Sequence, residues 1–276
     1  MAGEDIKEEI ASRVLLPEFP RSSRYDPQWQ LDNSLDPALW YAELLSEVMS
    51  FTPGMRVLDL GCGRAITSIF LAREFGVSVV AADLLPVQHE NWARILDAGC
   101  ADSVLPVQAD ARHLMFANGY FDAVVGIDSF SLFATDDHFP RELLRYVRPG
   151  GQVGFIGPGV TTEFEGRVPA DMLDYWDPNF NAIHTPGWWA RKFNDSGWAD
   201  VVTAELIPDG WRYWLAWEQL VADLGPLDVR EAYARTANGL KRDAGRTFGL
   251  ARVVITRRSW GTWARPAQLA ESGGTA

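Results

Sequence analysis

The sequence predicts an α/β protein: one doubly wound sheet of seven mostly parallel strands, with helices on both faces and a cap made by the N-terminal segment and an insertion. Three observations carry this expectation. From residue 56 to residue 156, short apolar runs alternate with amphipathic helical stretches. Parallel strands need such crossovers, because a tight turn cannot join them. The first run leads directly into a glycine turn, Leu60-Gly-Cys-Gly63, and then into a helix. Three later runs end at or just before an aspartate, Asp83, Asp110 and Asp128, on the edge where open α/β sheets bind ligands.

The elements follow in order. Residues 1–50 read as a helical cap segment, in which Met1 to Ser12 is polar and helix-compatible and Leu16 to Asp36, interrupted by Pro17, Pro20 and Pro27, is irregular. Pro37 suits the first turn of a helix that keeps Trp40, Leu44, Leu45 and Val48 at helical spacing. The main domain is expected over 51–260. Its strands are Arg56 to Leu60, Val77 to Ala82, Val104 to Gln108, Phe121 to Ile127 and Gln152 to Ile156. Between them lie helices from about Ala65 to Phe75, Pro86 to Ala98 and His138 to Val147. After Gly157 the rhythm breaks, and residues 158–198, rich in proline, glycine and aromatic residues, read as a lid-like insertion with a helix at Trp188 to Asn194. A sixth strand at Asp200 to Leu206, helices at Trp211 to Leu224 and Asp228 to Arg242, and an antiparallel last strand at Gly249 to Thr256 complete the sheet. Residues 261–276 read as a tail.

Composition narrows the function classes. With 47% hydrophobic and 22% charged residues in 276, the chain is that of an ordinary globular protein. A net charge of −12 argues against nucleic acid and anionic membrane as partners, since both are held by clustered Lys and Arg. Cys62 and Cys100 make neither a zinc cluster nor a disulfide framework, so no metal is expected and a reducing, cytoplasmic setting is favoured. The N-terminus lacks the apolar core of a signal peptide, and no run is long enough to span a membrane.

The segment Val57-Leu-Asp-Leu-Gly-Cys-Gly63 is the strongest local signal. Glycine lets a cofactor approach the backbone closely. A dinucleotide fingerprint would need a third glycine where Ile66 stands, and Asp59 sits where such a strand is normally apolar. The segment instead resembles the first motif of the class I S-adenosyl-L-methionine (SAM)-dependent methyltransferases, a family with a Rossmann-like sheet. Four further segments resemble that family in the same order: the strand ending Ala82-Asp83, Gln108-Ala-Asp-Ala111, Gly119 to Asp128, and Val147-Arg-Pro-Gly-Gly-Gln-Val-Gly154. Beyond them, Phe133 to Phe139, His184 to Trp189 and Ile207 to Trp217 look like a bacterial subgroup of the type 11 methyltransferases.

The resemblance implies SAM as cofactor and S-adenosyl-L-homocysteine (SAH) as product. It implies that Asp59 supports the cofactor's amino group above the turn Gly61, Cys62 and Gly63. Asp83 would take the ribose hydroxyls, although an aspartate at a strand end is also a common turn-former. Asp110 would border the adenine, with Leu84 and Ala111 beside the ring, and Ile127 is a further cofactor-binding candidate. Many family members carry glycine where this chain has Ala65. The methyl acceptor is expected to be a small molecule, methylated at O, N or C. Oligomeric state does not follow from the sequence, a homodimer being one assembly it allows.

Methyl transfer is an in-line displacement, so holding the acceptor in line can suffice without a general base. Candidate catalytic groups are Asp128, at the end of the fourth strand, His138, beside Asp136 and Asp137, and His184, at the edge of the insertion. The ordinary readings beside these are a loop cap for Asp128 and a surface histidine for His138. Tyr25 and Tyr41 either close the site or pack in the core. Trp176, Trp188, Trp189, Trp198, Trp211, Trp214 and Trp217 either line an aromatic acceptor pocket or, for the last three, bury one stripe of a helix. Two other functions compete: a catalytically silent SAM-binding regulatory or partner protein, and an NAD-dependent oxidoreductase. A base-amine methyltransferase is disfavoured because Asp128-Ser-Phe-Ser131 stands where an Asn/Asp-Pro-Pro-Tyr/Phe motif belongs.

Overall fold

The computed structural model describes residues 2–85, 88–164, 168, 172–173 and 175–259. The strands are β1 (Arg56–Leu60), β2 (Ser78–Asp83), β3 (Val104–Gln108), β4 (Phe121–Ile127), β5 (Val147–Val160), β6 (Ala199–Leu206) and β7 (Phe248–Arg257). They form one sheet in the order β3-β2-β1-β4-β5-β7-β6. β1 to β5 run parallel, and β7 runs antiparallel to β5 and β6 on either side of it. The predicted doubly wound, mostly parallel sheet is therefore the observed one. Strand order reverses between β1 and β4, which leaves a crevice at their C-terminal ends.

Alternation along each strand explains why helices cover both faces. Val57, Val79, Ala81, Ala123 and Val125 face one apolar layer, and Leu58, Ala82 and Val124 the other. The first layer is closed by α3 (Ala38–Ser46), α4 (Ile66–Phe75) and α8 (Trp211–Leu224). The second takes Leu143 and Leu144 of α6 (Phe139–Tyr146) and Trp189 and Phe193 of α7 (Pro186–Asp195). Two further helices, α5 (Gln88–Asp97) and α9 (Arg230–Asp243), complete the set after β2 and α8.

The N-terminal helices α1 (Ala2–Val14) and α2 (Pro27–Asn33) lead into α3. Here the sequence reading needs correction, since residues 27–33 were expected to be irregular. The Asp26 carboxylate accepts a hydrogen bond from the Trp29 N–H at 2.7 Å, and Pro27 takes the first helical position, where its missing N–H costs nothing. Trp40 stacks on Phe19 at 5.3 Å and meets Trp217 edge-on at 5.1 Å, joining this segment to α8. Glu43 ties it together: its buried carboxylate accepts from the Arg21 N–H at 2.9 Å and from the Ser22 N–H and hydroxyl, each at 2.8 Å. Replacing Glu43 with Ala strands these donors in the interior. The expected cost is about 3 kcal/mol, read as a melting temperature lower by roughly 6–12 °C. An unchanged melting temperature would show that the anchor carries no weight.

β5 is longer than expected. Pro158 and Gly159 suggest a break in sequence, yet residues 158–160 continue the pairing with β7. Beyond Ile156 the strand has no β4 residue opposite it, a one-sided setting in which a proline is tolerated. The predicted insertion at 158–198 thus begins inside the sheet and ends in α7, capped by Thr185. The predicted tail, 261–276, lies outside the described residues, as do positions 165–167, 169–171 and 174 of the insertion. Among the described residues, no helix is long and apolar enough to cross a membrane.

Candidate functional site

A cavity of about 640 Å³ opens at the crevice between β1 and β4. Nine of the residues singled out from the sequence line it: Gly61, Cys62, Gly63, Asp83, Leu84, Asp110, Ala111, Ile127 and Asp128. The glycine turn is held by β2, since the Gly61 and Cys62 N–H groups donate to the Ala82 carbonyl at 2.8 and 3.1 Å. The Gly63 N–H donates to Asp83 Oδ2 at 2.9 Å, and Asp83 Oδ1 accepts from the Leu85 N–H at 2.9 Å. Ala65 has φ +61° and immediately precedes α4. The backbone there is left-handed, which alanine tolerates at a cost of roughly 1 kcal/mol.

Asp59 does not line the cavity. It is buried beneath the turn, accepting from the Thr67 and Ser68 hydroxyls at 2.5 and 2.6 Å through Oδ2, while Oδ1 has no partner. Burial pushes its carboxyl up to about 6. Asp110 is engaged by Arg112, whose Nη2 and Nε donate at 2.8 and 3.0 Å, and this hydrogen bonding holds its carboxyl below the usual range.

The three catalytic candidates separate. Asp128 lines the cavity with φ +49°, a conformation aspartate enters more readily than most residues. Gly157 makes room for it, because a Cβ at 157 would come within 3.1 Å of Asp128 Oδ1. His138 is exposed at the start of α6 and does not line the cavity, its flanking aspartates having suggested more than they deliver. His184 also lies outside the lining. Its Nδ1 pairs with Glu163 Oε2 at 2.8 Å and its ring stacks on Trp188 at 3.7 Å. It fastens residue 163 to the start of α7.

No tryptophan lines the cavity among the described residues, so the aromatic-pocket expectation fails there; Phe133 is the aromatic side chain on its wall. Trp214 and Trp217 are buried instead, as the helical stripe implies. Tyr41 is wholly buried in the core.

Sequence reasoning missed Asp36. It reaches the cavity from the loop before α3 and shares a hydrogen bond with Asp128. Burial raises both carboxyls, Asp36 to about 6 and Asp128 well above the ordinary value, the latter also raised by the charge of Asp36. A hydrogen bond between two carboxyls needs a proton on one of them, and the raised values favour its retention by the pair. Glu218 of α8 was missed as well. Burial pushes its carboxyl up to about 8, although Trp214 Nε1 donates to its Oε1 at 2.8 Å. The available signal was a lone acid on the buried tryptophan stripe, four residues after Trp214.

Residues 57–151 match the family described as "Methyltransferase domain". Methyltransferase GfsG of Streptomyces halstedii is 33% identical over 130 residues, which cover 45% of this chain and 47% of that protein. The match thus spans about half the length of that relative. Among solved structures, the [4+2]-cyclase SpnF superposes with a TM-score of 0.65 at 19% identity, covering 79% of this chain and 81% of the other. A geranyl diphosphate methyltransferase in complex with SAM gives 0.62 at 21% identity, covering 78% and 84%. Identities this low establish the fold alone, and the SpnF match shows that this fold is not tied to one reaction. Residues 57–151 are thus similar to the methyltransferase-domain family, and the sheet built around them has the fold that SpnF and the geranyl diphosphate methyltransferase share.

Proposed function

We propose that the protein is a SAM-dependent methyltransferase that methylates a small molecule and releases SAH. The observation that carries this is the junction of the glycine turn with the end of β2, where the Gly63 N–H meets Asp83 at 2.9 Å on the wall of the cavity. The residues present fit the cofactor. A Cβ at Gly63 would meet nothing within 4 Å, so the turn leaves open space beside the backbone. Asp59 keeps an unpartnered buried oxygen under the same turn. The volume lies in the range of cofactor sites, about 300–1,000 Å³. Gly61, Cys62 and Gly63 would hold the methionine end, Asp83 the ribose, and Asp110, Leu84 and Ala111 the adenine, with Ile127 a further contact to the cofactor. Bound there, SAM supplies an electrophilic methyl group and leaves as SAH. Asp128 faces the acceptor side; His138 and His184 take no part in this scheme.

Residues 51–260 would form the methyltransferase domain, with 1–50 as its cap and 158–198 as a lid. The net charge of −12 disfavours nucleic acid as acceptor; a bacterial cytoplasm is the setting this reading carries, and a homodimer the assembly to test. Isothermal titration with SAM, SAH and NAD should give micromolar binding of the two sulfur compounds and none of NAD. Asp83→Ala should weaken SAH binding at least tenfold. Binding of NAD instead would overturn the proposal, and SAM binding without turnover of any acceptor would favour a silent regulatory role.

A further inference from the structure

Two carboxyls on the cavity wall have a chemistry of their own. Asp36, from the N-terminal loop, and Asp128, from the end of β4, converge there on one hydrogen bond. Glu218 from α8 and the phenols of Tyr41 on α3 and Tyr233 on α9 are coupled to them by charge, and Asp32 and Asp228 line the same cavity. The Tyr41 hydroxyl is wholly buried without a hydrogen-bond partner, and the charges acting on it are those of Asp128, Asp36 and Glu218. A buried hydroxyl left without a partner is costly unless something supplies one.

The cations on the cavity wall are already engaged. Arg112 is bound to Asp110, and Arg64 Nη1 donates to the Asp32 carbonyl at 2.6 Å. An acceptor bearing a phosphate or carboxylate would meet the Asp36–Asp128 pair with no countercharge there. The segments that bring Asp36 and the α9 side to the cavity also carry apolar lining residues, Leu31, Leu35, Pro226 and Val229, beside the polar Asp32, Asn33, Ser34 and Asp228. We propose that the acceptor of this methyltransferase is a primary or secondary amine on an apolar body, bound as its ammonium form by the Asp36–Asp128 carboxyl pair.

This rests on the methyltransferase reading and supplies its substrate class. With one proton shared between them, the two carboxyls carry one negative charge, which matches one ammonium. The proton balance closes. The ammonium gives one proton to the pair, which becomes fully protonated, and the nitrogen recovers its lone pair. The free amine then takes the methyl group as the carbon–sulfur bond breaks, its electrons returning to sulfur. The positive charge ends on the methylated nitrogen, and the pair returns its extra proton to solvent.

The test is titration calorimetry on the full chain loaded with SAH. The probes are ethylamine, hexylamine and 2-phenylethylamine, against hexanol, 2-phenylethanol, hexanoate and phenylacetate. At least one amine should bind at least tenfold tighter than its matching alcohol or carboxylate. Asp36→Asn and Asp128→Asn should each weaken that amine at least tenfold while SAH affinity stays within twofold. Binding of no amine, equal binding of an alcohol or carboxylate, or amine binding indifferent to both substitutions would overturn the assignment. A loss of SAM but not SAH affinity in both variants would give the carboxyl pair to the sulfonium, and equally overturn it. Should the variants fail to fold, the selectivity of the native chain decides alone. If the native chain binds no SAH, the methyltransferase reading itself falls and this inference with it.

Discussion

Replacing Gly61 with Ala is expected to cost about 3 kcal/mol of stability and at least a hundredfold in SAH affinity. Gly61 has φ +77°, where a side chain adds roughly 1–2 kcal/mol of strain. Its Cβ would come within 2.5 Å of Ser129 Cβ and 2.9 Å of Ser129 Oγ, a clash of the kind that costs about 1–3 kcal/mol. A Cβ atom cannot swing aside, so the backbone of residue 129 has to move. That movement breaks the bond from Ser129 Oγ to the Leu60 carbonyl, 2.7 Å long, which fastens the loop after β4 to the end of β1. Those two loops form the adjoining walls of the cavity. Urea unfolding and SAH titration measure the two losses separately. A second substitution, Ser129→Gly, should recover part of the stability, since it removes the clash and leaves the strain. Native affinity in the single variant would show that the two loops do not depend on this close approach.

Glu218→Gln should make the protein more stable above pH 8 and flatten its stability profile. An acid whose folded-state pKa lies above its unfolded value binds its proton more tightly when folded. For Glu218 these values are about 8 and 4.5, and the rise comes first from burial. Its contribution is thus complete below about pH 4.5 and disappears as the pH climbs through 8. The native chain should lose on the order of 3 kcal/mol across this window relative to the variant. Glutamine stays neutral and keeps an oxygen for the Trp214 indole N–H. Asp36, Asp59 and Asp128 also have raised values and tilt both profiles in the same direction. The difference between the profiles, from urea unfolding at pH 5 to 9, isolates Glu218. Parallel profiles would place its carboxyl in contact with solvent.

The sheet was legible because its signals are local. β3 and β4 lie where apolar runs between turn residues put them, and α8 spans the stretch that the Trp214 and Trp217 stripe marks. The glycine turn and the aspartates at strand ends are equally local, and most of these residues do line the cavity. Helix α2 escaped notice because its prolines read as breakers, whereas Asp26 and Pro27 together start a helix. Asp36 and Glu218 are another matter. Nothing near either residue in the chain says that they meet Asp128, which lies about ninety residues from each. His138 and His184 stand off the cavity for the converse reason: a chemically apt residue type says nothing of a position that only the fold decides.

The position of β7 governs the order in which the molecule can be completed during synthesis. β7 is the last of the seven strands to leave the ribosome, yet it lies between β5 and β6. Until it arrives, β6 has no neighbour in the sheet, and its exposed Val201 and Val202 stand beside an unpaired edge. The N-terminal helices must wait too, because Trp40 packs on Trp217 and Arg13 pairs with Asp223. The parallel half of the sheet, β1 to β4, can assemble first, and the cavity acquires its walls from residues 31–38 and 226–229 only near the end. A nascent chain stalled before residue 248 would therefore hold a glycine turn and an aspartate at β2 but no finished place to bind anything.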